Sequence, residues 1–311
     1  MSSSSYRRKP SVLYENRYCN QEEIDIVICG GRKSNGEVTN EVTELEGPGF
    51  GTSVQLTPMI TPRSCGESAV IGSDIYILGG YDTNSGWISS YEMYSTKKKQ
   101  WKSLTCFTEM KDNYSVCSFM KSVYVIGGYS EKYGFLKHCL KYSKESDEWI
   151  KIANLNIERG CAACTVFEGK IVVTGGLDNN YIQGSVESYN HHENEWSRFS
   201  DMIKPRYYHS ALSMNNKIFV IDHDTLSHFE IYDNVSKKFS LINIKPPNSQ
   251  IGNLYYCKTL CFSNKLVYFV DDISYNKLKI FVYNVDDKRL IFKNVFIVPA
   301  TDSTYVKLPK S

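Results

Sequence analysis

IYILGG at residues 75–80 is the clearest copy of a short motif that recurs through this 311-residue chain, an apolar run that ends in a glycine pair. The other copies are IVICGG at 26–31, VYVIGG at 123–128 and IVVTGG at 171–176. Two later segments keep the apolar run but have lost the glycines, namely IFVIDH at 218–223 and VYFVDD at 267–272. The six motifs follow one another at steps of 49, 48, 48, 47 and 49 residues, which indicates six structural repeats.

A second landmark supports the same repeat, because each later unit carries a tyrosine seven residues before a large side chain. The pairs are Tyr94 with Trp101, Tyr142 with Trp149, Tyr189 with Trp196, Tyr232 with Phe239 and Tyr283 with Leu290. Glycine pair, tyrosine and aromatic at these offsets resemble the kelch repeat, from residue 24 to about residue 290. The resemblance implies an all-β fold, a six-bladed β-propeller of four-stranded antiparallel blades. One blade cannot bury its apolar faces alone, so neighbouring blades have to stack.

The repeat frame predicts the domain boundaries. Residues 1–23 form a linker-like leader, and residues 24–311 form the propeller. The first unit begins directly at its second strand, so we expect a C-terminal strand at residues 303–307 to supply its inner strand and close the ring. The predicted blades are residues 24–58 with strand 303–307, then 63–107, 111–155, 159–202, 206–244 and 253–295.

Composition limits the functional classes. The chain has 36 Lys and Arg against 34 Asp and Glu, which gives no support for nucleic-acid binding through a basic field. No stretch is long and apolar enough to span a membrane, and the polar start MSSSSYRRKP lacks the apolar core of a signal peptide. We therefore expect a location in the cytosol or nucleus. Most of the ten cysteines fall inside strand runs, where we expect reduced, buried thiols.

No catalytic or metal-binding residue and no cofactor is predicted. The CAAC segment at 161–164 has redox or zinc-ligand spacing but lies in a predicted strand without a second pair, so core packing is the preferred interpretation. His209, His223 and His228 share one unit, and isolated surface histidines are preferred there over a metal site. The pair His191–His192 and the run Lys97-Lys98-Lys99 are interpreted as solvated turns rather than as partner contacts. No GxSxG, HExxH or phosphate-loop motif is present.

The predicted recognition surface follows from strand alternation. Loops that follow the glycine pairs and linkers that enter the next blade emerge on one face, and they are long and varied, whereas the opposite turns are minimal. Arg63, Lys111, Arg159 and Arg206 recur at one position of successive units, which predicts a cationic ring at the central mouth. The alternative is that these residues bond loop carbonyls within the repeat. The remaining predicted partner-binding residues are Arg32, Tyr81, Trp87, Tyr129, Tyr133, Phe135, Tyr181, Tyr207 and Tyr208.

The family resemblance suggests a wider setting. YRRKPSVLYENRY at 6–18 resembles the link before the propeller in BTB-kelch (Kelch-like) proteins, and RYYHSALSMNNKIFVI at 206–221 resembles an arthropod member. In that family the loop face captures substrates, and the BTB and BACK domains, which this chain lacks, recruit a cullin-RING ubiquitin ligase. We therefore expect a non-enzymatic interaction module that binds an acidic peptide or loop. The alternatives are an actin-binding kelch protein, a decoy without ligase recruitment, or a kelch-propeller oxidase or sugar-converting enzyme.

Overall fold

The computed structural model describes residues 25–46, 52–106, 112–222, 228–243, 257–261, 266–273, 277–284, 289–297 and 304–308, with side chains for residues 26–45, 52–106, 112–222 and 229–242. The predicted leader, residues 1–23, lies outside this part of the chain. Every regular element in the described ranges is a β-strand, and no helix there is long and apolar enough to cross a membrane. The all-β prediction is confirmed.

The described part of the chain contains 28 strands. In chain order they are β1 (Asp25–Arg32), β2 (Val38–Glu46), β3 (Thr52–Leu56), β4 (Glu67–Ile71), β5 (Asp74–Leu78), β6 (Tyr81–Asp82), β7 (Gly86–Trp87), β8 (Tyr91–Ser95), β9 (Gln100–Leu104), β10 (Ser115–Phe119), β11 (Ser122–Ile126), β12 (Tyr129–Ser130), β13 (Gly134–Phe135), β14 (Cys139–Ser143), β15 (Glu148–Lys151), β16 (Ala163–Phe167), β17 (Lys170–Thr174), β18 (Val186–Asn190), β19 (Glu195–Arg198), β20 (Ser210–Met214), β21 (Lys217–Ile221), β22 (His228–Asp233), β23 (Lys238–Asn243), β24 (Cys257–Cys261), β25 (Leu266–Ile273), β26 (Lys277–Asn284), β27 (Arg289–Ile297) and β28 (Thr304–Leu308).

Within the described ranges these strands pair into six four-stranded antiparallel sheets and two short hairpins. Sheet 1 has the order β28-β1-β2-β3, sheet 2 β4-β5-β8-β9, sheet 3 β10-β11-β14-β15, sheet 4 β16-β17-β18-β19, sheet 5 β20-β21-β22-β23 and sheet 6 β24-β25-β26-β27. The hairpins β6–β7 and β12–β13 extend from sheets 2 and 3, between their second and third strands. The four-stranded antiparallel unit predicted from the repeat is thus present.

The sheets lie side by side in sequence order. In the series β28, β4, β10, β16, β20 and β24, each first strand contacts the next one. Sheet 1 contains both ends of the described chain, because β28 pairs antiparallel with β1, with Val306 opposite Val27 and Tyr305 opposite Ile28. The strand β28 is therefore the edge strand of sheet 1 on the side of β1.

The landmark residues of the repeat fill the space between sheets. Tyr94 and Trp101 are cross-strand neighbours with ring centroids 5.1 Å apart, and Tyr189 and Trp196 repeat this arrangement at the same distance. The Trp101 indole also donates a hydrogen bond of 2.7 Å to the carbonyl of Thr57, in the linker that enters sheet 2. In sheets 2, 3 and 4 the tryptophan thus joins the sheet to the preceding linker, as well as supplying apolar area.

The glycine pair is required by a close backbone approach. Gly127 has φ +63°, and a Cβ there would lie 2.1 Å from the carbonyl oxygen of Arg159, in the linker that enters sheet 4. That carbonyl accepts a 2.7 Å hydrogen bond from the amide of Gly128. The first glycine gives room for the linker carbonyl, and the second donates to it.

Loss of β28 should destabilise the protein. A chain ending at residue 303 removes the pairing partner of five residues of β1. Since each backbone hydrogen bond contributes about 0.5–1.5 kcal/mol, the free energy of unfolding in urea should fall by several kcal/mol. The control chain ends at Leu308 and keeps β28. Equal stability of the two truncated chains would contradict the pairing.

The energetic effect of the close contact at Gly127 can be measured separately from the effect of its left-handed backbone conformation. Gly169 has a similar φ of +69°, but nothing lies within 4 Å of a Cβ there. We expect Gly169→Ala to cost about 1–2 kcal/mol for the backbone conformation alone. Gly127→Ala should cost about 1–3 kcal/mol more, because the linker carbonyl has to move. Thermal and urea unfolding of both variants would test this, and equal losses would rule the steric argument out.

Candidate functional site

The three arginines of the predicted cationic ring are buried inside the repeats. Arg63 and Arg159 are 0% exposed and Arg206 is 3% exposed. Arg159 Nη1 donates to the carbonyls of Gly175 (2.7 Å) and Ser185 (2.9 Å), and Nη2 donates to the Ser185 hydroxyl (2.8 Å). Its Nε and Nη2 both reach Glu187 Oε1, at 3.2 and 3.1 Å. The guanidinium is thus fully engaged with its own sheet.

Arg63 repeats this arrangement in sheet 2. It donates to the carbonyls of Gly79 (2.6 Å) and Ser90 (2.8 Å), and its Nη2 lies 2.5 Å from Glu92 Oε1. Burial lowers the pKa of both Arg63 and Arg159 below the usual range, while the paired glutamates act in the opposite direction. Arginine keeps its charge under such conditions, so each site contains a buried ion pair.

The paired glutamates also hold the linkers between sheets. Glu92 accepts hydrogen bonds from the amides of Ile60 (2.7 Å) and Thr61 (2.9 Å). In sheet 5, Glu230 accepts from Ile203 (2.6 Å) and Lys204 (2.9 Å). We call the arginine, the glutamate and these bonds the linker clamp. The linker clamp fixes the segment from which each arginine projects.

Sheet 5 shows how the clamp adapts when the glycine pair is lost. Arg206 Nε donates to the carboxylate of Asp222 at 3.0 Å, and its Nη1 pairs with Glu230. Asp222 occupies the position of the first glycine in the repeat, so a side-chain carboxylate meets the guanidinium that elsewhere binds the glycine carbonyl.

The prediction that Arg63, Arg159 and Arg206 contact a partner is therefore wrong. Their side chains turn into the sheets, where carbonyl and carboxylate groups accept most of the guanidinium hydrogen bonds. Lys111, the fourth predicted member, lies outside the described residues. A sequence signal for this outcome exists, since the three arginine units have glutamate two residues before the landmark tyrosine, whereas the Lys111 unit has Leu140 there.

Most predicted aromatic residues lie on the face that carries the post-glycine loops and the linkers, here called the loop face. Tyr81 packs edge-on against Trp87 at 5.2 Å, and Tyr129 packs likewise against Phe135 at 5.4 Å, so all four stabilise the hairpins β6–β7 and β12–β13. These rings are half-buried. Arg32 joins this surface, with its guanidinium 5.6 Å from the centroid of the Tyr81 ring.

Tyr133 and Tyr181 are the most exposed of the predicted aromatics, at 63% and 74%. They lie on consecutive repeats, in the tip of hairpin β12–β13 and in the loop after β17. Asn179 joins these loops, because its side-chain oxygen accepts a 3.0 Å hydrogen bond from the amide of Phe135. The structure therefore places the two exposed tyrosines on one connected part of the loop face.

Tyr207 and Tyr208 lie in the linker that enters sheet 5. Their rings are 5.3 Å apart, and Tyr208 Oη donates to the side chain of Asn113 at 3.3 Å. The Tyr208 amide donates to the carbonyl of Cys161, and the Cys161 amide donates to that of Asn113, both at 2.8 Å. Equivalent residues of three successive linkers, all with positive φ, are thus joined through their backbones.

An open depression of about 770 Å³ adjoins hairpin β12–β13 on the loop face. Lys132, Tyr133 and Leu136 line its hairpin side, and Lys151 and Glu158 line the side formed by β15 and the linker after it. Lys137 also lines it, with Nζ 3.5 Å from the Glu158 carboxylate. These lysines do not recur at one repeat position, so the repeat pattern did not predict them.

The residues considered for metal or redox chemistry take structural roles. Cys161 is buried, and the Cys164 thiol hydrogen-bonds to Cys117 in a setting that raises its pKa. His209 Nε2 lies 2.7 Å from the Thr174 hydroxyl, whereas His223 and the His228 side chain lie outside the described part. Among the residues that the structure describes, no group of three His, Cys, Asp or Glu is placed to hold a metal ion.

The remaining histidine and lysine segments lie in turns between third and fourth strands. His191 stacks against His192 with ring centroids 3.8 Å apart, and it packs edge-on against Phe119 of sheet 3. Lys97, Lys98 and Lys99 are exposed. These turns lie on the face opposite the loop face.

Removal of the buried arginine should destabilise the fold. Arg159→Met leaves Glu187 buried without its cation, which should cost about 3–5 kcal/mol in the free energy of unfolding. Arg198→Met is the matched control, since Arg198 pairs with Asp201 at the surface and is 75% exposed. That change should cost at most about 1 kcal/mol. Similar losses in urea unfolding would contradict the linker clamp.

Comparison with known proteins agrees with this architecture. The model of the KLHDC2/KLHL20/DRC7 Kelch-repeats domain matches residues 11–221. Kelch repeat and BTB domain-containing protein 1 of cowpox virus (strain Brighton Red) is 30% identical over 190 residues, covering 58% of this chain and 33% of that protein. Kelch repeat protein C2 of cowpox virus (strain GRI-90 / Grishak) is 24% identical over 161 residues, covering 52% of this chain and 22% of that protein.

A vertebrate relative matches a shorter segment. Kelch-like protein 21 of Danio rerio is 38% identical over 55 residues, 18% of this chain and 9% of that protein. The chain thus spans a third or less of the length of these three relatives. Kelch-repeat domains are in general protein-interaction modules, which favours binding over catalysis. Because the family model matches more than half of its residues, the chain belongs to the kelch-repeat family.

Proposed function

We propose that the six sheets close into one six-bladed propeller whose loop face binds a partner protein, without enzymatic chemistry. Closure is supported by β28, which follows sheet 6 along the chain and pairs with β1 of sheet 1. The stepwise contacts of the first strands from β28 to β24 support the same arrangement. A closed ring would hold the loops of successive blades at fixed positions around one axis.

Exposed tyrosines on the loop face are the observation that supports binding most directly. Tyr133 and Tyr181 expose more than half of their surface, and the bond between Asn179 and Phe135 ties their loops together. Tyrosine supplies a large, rigid contact area together with a hydroxyl, so it is enriched at the centres of protein interfaces. The loops vary between repeats while the sheets do not, so partner specificity is expected to reside in the loops.

The proposal extends to substrate recognition in a ubiquitin-ligase pathway. It is supported by likeness to Kelch-like protein 21 and to a viral relative whose name combines kelch repeats with a BTB domain. The expected compartment is the cytosol or nucleus, where the seven free thiols of the described part would stay reduced. Co-purification of a cullin with the intact protein from cells would test the ligase link.

Affinity capture from cell extract would test loop-face binding. The bait is the intact chain, beside a variant carrying Tyr133→Ser and Tyr181→Ser. The control carries Met120→Ser and Val235→Ser, which alter residues of similar exposure, 59% and 91%, in turns of the opposite face. We expect the tyrosine variant to lose its specific partners at least about tenfold, while the control retains them.

Thermal unfolding should show that all three proteins are folded. If both variants capture the same proteins as the intact chain, recognition does not use the loop-face tyrosines and the proposal fails. Replacement of the buried arginines would not test the proposal, because those side chains stabilise the fold.

A further inference from the structure

Two cysteine thiols meet between the first strands of sheets 3 and 4. Cys117 lies in β10 and Cys164 lies in β16, and these two strands are in contact. The Cys164 thiol forms a hydrogen bond with Cys117. Cys117 belongs to a buried apolar cluster, and Cys164 packs against that cluster. The two thiols thus approach each other across an interface between sheets, although they belong to different repeats.

The register of the two strands accounts for this approach. The Ser115 hydroxyl donates a 2.9 Å hydrogen bond to the carbonyl of Ala162 across the same interface. Side chains two residues apart in a strand point to the same face. Cys117 and Cys164 each lie two residues beyond this contact, so they face each other at the next step along the strands. Formation of a bond between their sulfur atoms therefore needs only a local adjustment of the side chains.

The thiol pair is a departure from the repeat. At the neighbouring interfaces the equivalent places hold Ala69 in β4 and Ala211 in β20. The CAAC segment at 161–164 has redox spacing, but the cysteine that bonds to Cys164 lies outside it, in another sheet. The contact depends on how two sheets stack, so the spacing of cysteines along the chain does not reveal it.

Exposure and acidity determine how this pair can react. Cys164 is half-buried whereas Cys117 is buried, so a small oxidant reaches Cys164 first. The hydrogen bond to Cys117 and burial raise the pKa of the Cys164 thiol. Because the thiolate is the reactive form, oxidation should be slow near neutral pH and faster at higher pH.

We propose that a peroxide joins Cys117 and Cys164 in a disulfide that ties sheet 3 to sheet 4. One oxygen of the peroxide converts the Cys164 thiol to a sulfenic acid, and the other leaves as water. The Cys117 sulfur then attacks the Cys164 sulfur, which forms the S–S bond and releases the sulfenic oxygen as a second water. Two thiols thus give two electrons and two protons to one peroxide.

The disulfide would act on the part of the molecule that supports the exposed tyrosines. Hairpin β12–β13, which carries Tyr133, extends from sheet 3, and the loop of Tyr181 follows β17 of sheet 4. A covalent bond between the two sheets would fix the bases of these loops relative to each other. The inference does not depend on loop-face binding, since it concerns the chemistry of the thiols alone.

Peptide mapping of the oxidised chain would test the proposal. The intact protein is treated with hydrogen peroxide, the remaining thiols are blocked with N-ethylmaleimide, and trypsin digestion follows without reduction. We expect residues 112–121 to be linked to residues 160–170 through Cys164, in protein that migrates as a single chain on a denaturing, non-reducing gel. The yield after a fixed time should rise at least about tenfold between about pH 7 and about pH 9.

Cys164→Ala and Cys161→Ala form a matched pair of variants, because each removes one thiol from the same tryptic peptide. Cys164→Ala should lower the yield of the linked peptide at least about tenfold, and Cys161→Ala should change it less than about twofold. Oxidation should raise the melting temperature of the unaltered chain and of Cys161→Ala by at least about 5 °C, because the disulfide restricts the unfolded chain. Cys164→Ala should show no such rise.

The exposed thiol of Cys106 reports whether the oxidant was effective. If Cys106 is oxidised and the linked peptide is absent at both pH values, the proposal is overturned. A link through Cys161, or a link found only between two chains, overturns it as well. The mapping uses the unaltered protein, so these outcomes remain decisive even where a variant fails to fold.

Discussion

The buried ion pair of the linker clamp is the interaction on which the arrangement of the sheets depends. The guanidinium of Arg159 donates to the carbonyl of Gly175, at the end of β17, which would otherwise be buried without a partner. Glu187 accepts hydrogen bonds from amides of the preceding linker. A charge buried in this way is unfavourable unless every partner is in place. The clamp therefore selects one position of the linker relative to its sheet, and the linkers and post-glycine loops form the loop face.

The strands were predicted correctly from the sequence, whereas the role of the arginines was not. The physical reason is the same, because a recurring residue indicates only that its environment recurs. Apolar runs such as Val123 to Ile126 report burial directly, and a tyrosine and a tryptophan at fixed spacing must pack together wherever the chain forms a hairpin. A recurring cation reports only that its environment recurs. Arg63 and Arg159 donate to the carbonyls of equivalent glycines in their two units, so their recurrence indicates a structural role. The glutamate two residues before the landmark tyrosine of these units indicated the same structural role.

The depression could not be predicted from the repeat, because it is formed by residues that break the repeat. Lys132 and Tyr133 belong to one hairpin tip, while Asn179 belongs to the next unit and reaches across to it. Such a contact depends on how far two loops project and on which side chains meet. Such a surface can change without changing the glycine pairs and the aromatic landmarks. Low identity over part of the chain is thus compatible with one scaffold and different partners.

The backbone chain through Asn113, Cys161 and Tyr208 bears on how such a protein evolves. Backbone hydrogen bonds join neighbouring linkers at these residues. The spacing between the linkers therefore does not depend on which side chain each position carries. An amide, a thiol and a phenol already occupy three equivalent places. Point substitutions at these positions can change the side-chain chemistry of the linkers while the framework stays the same. New binding preferences can therefore arise by drift, one residue at a time, without refolding the scaffold.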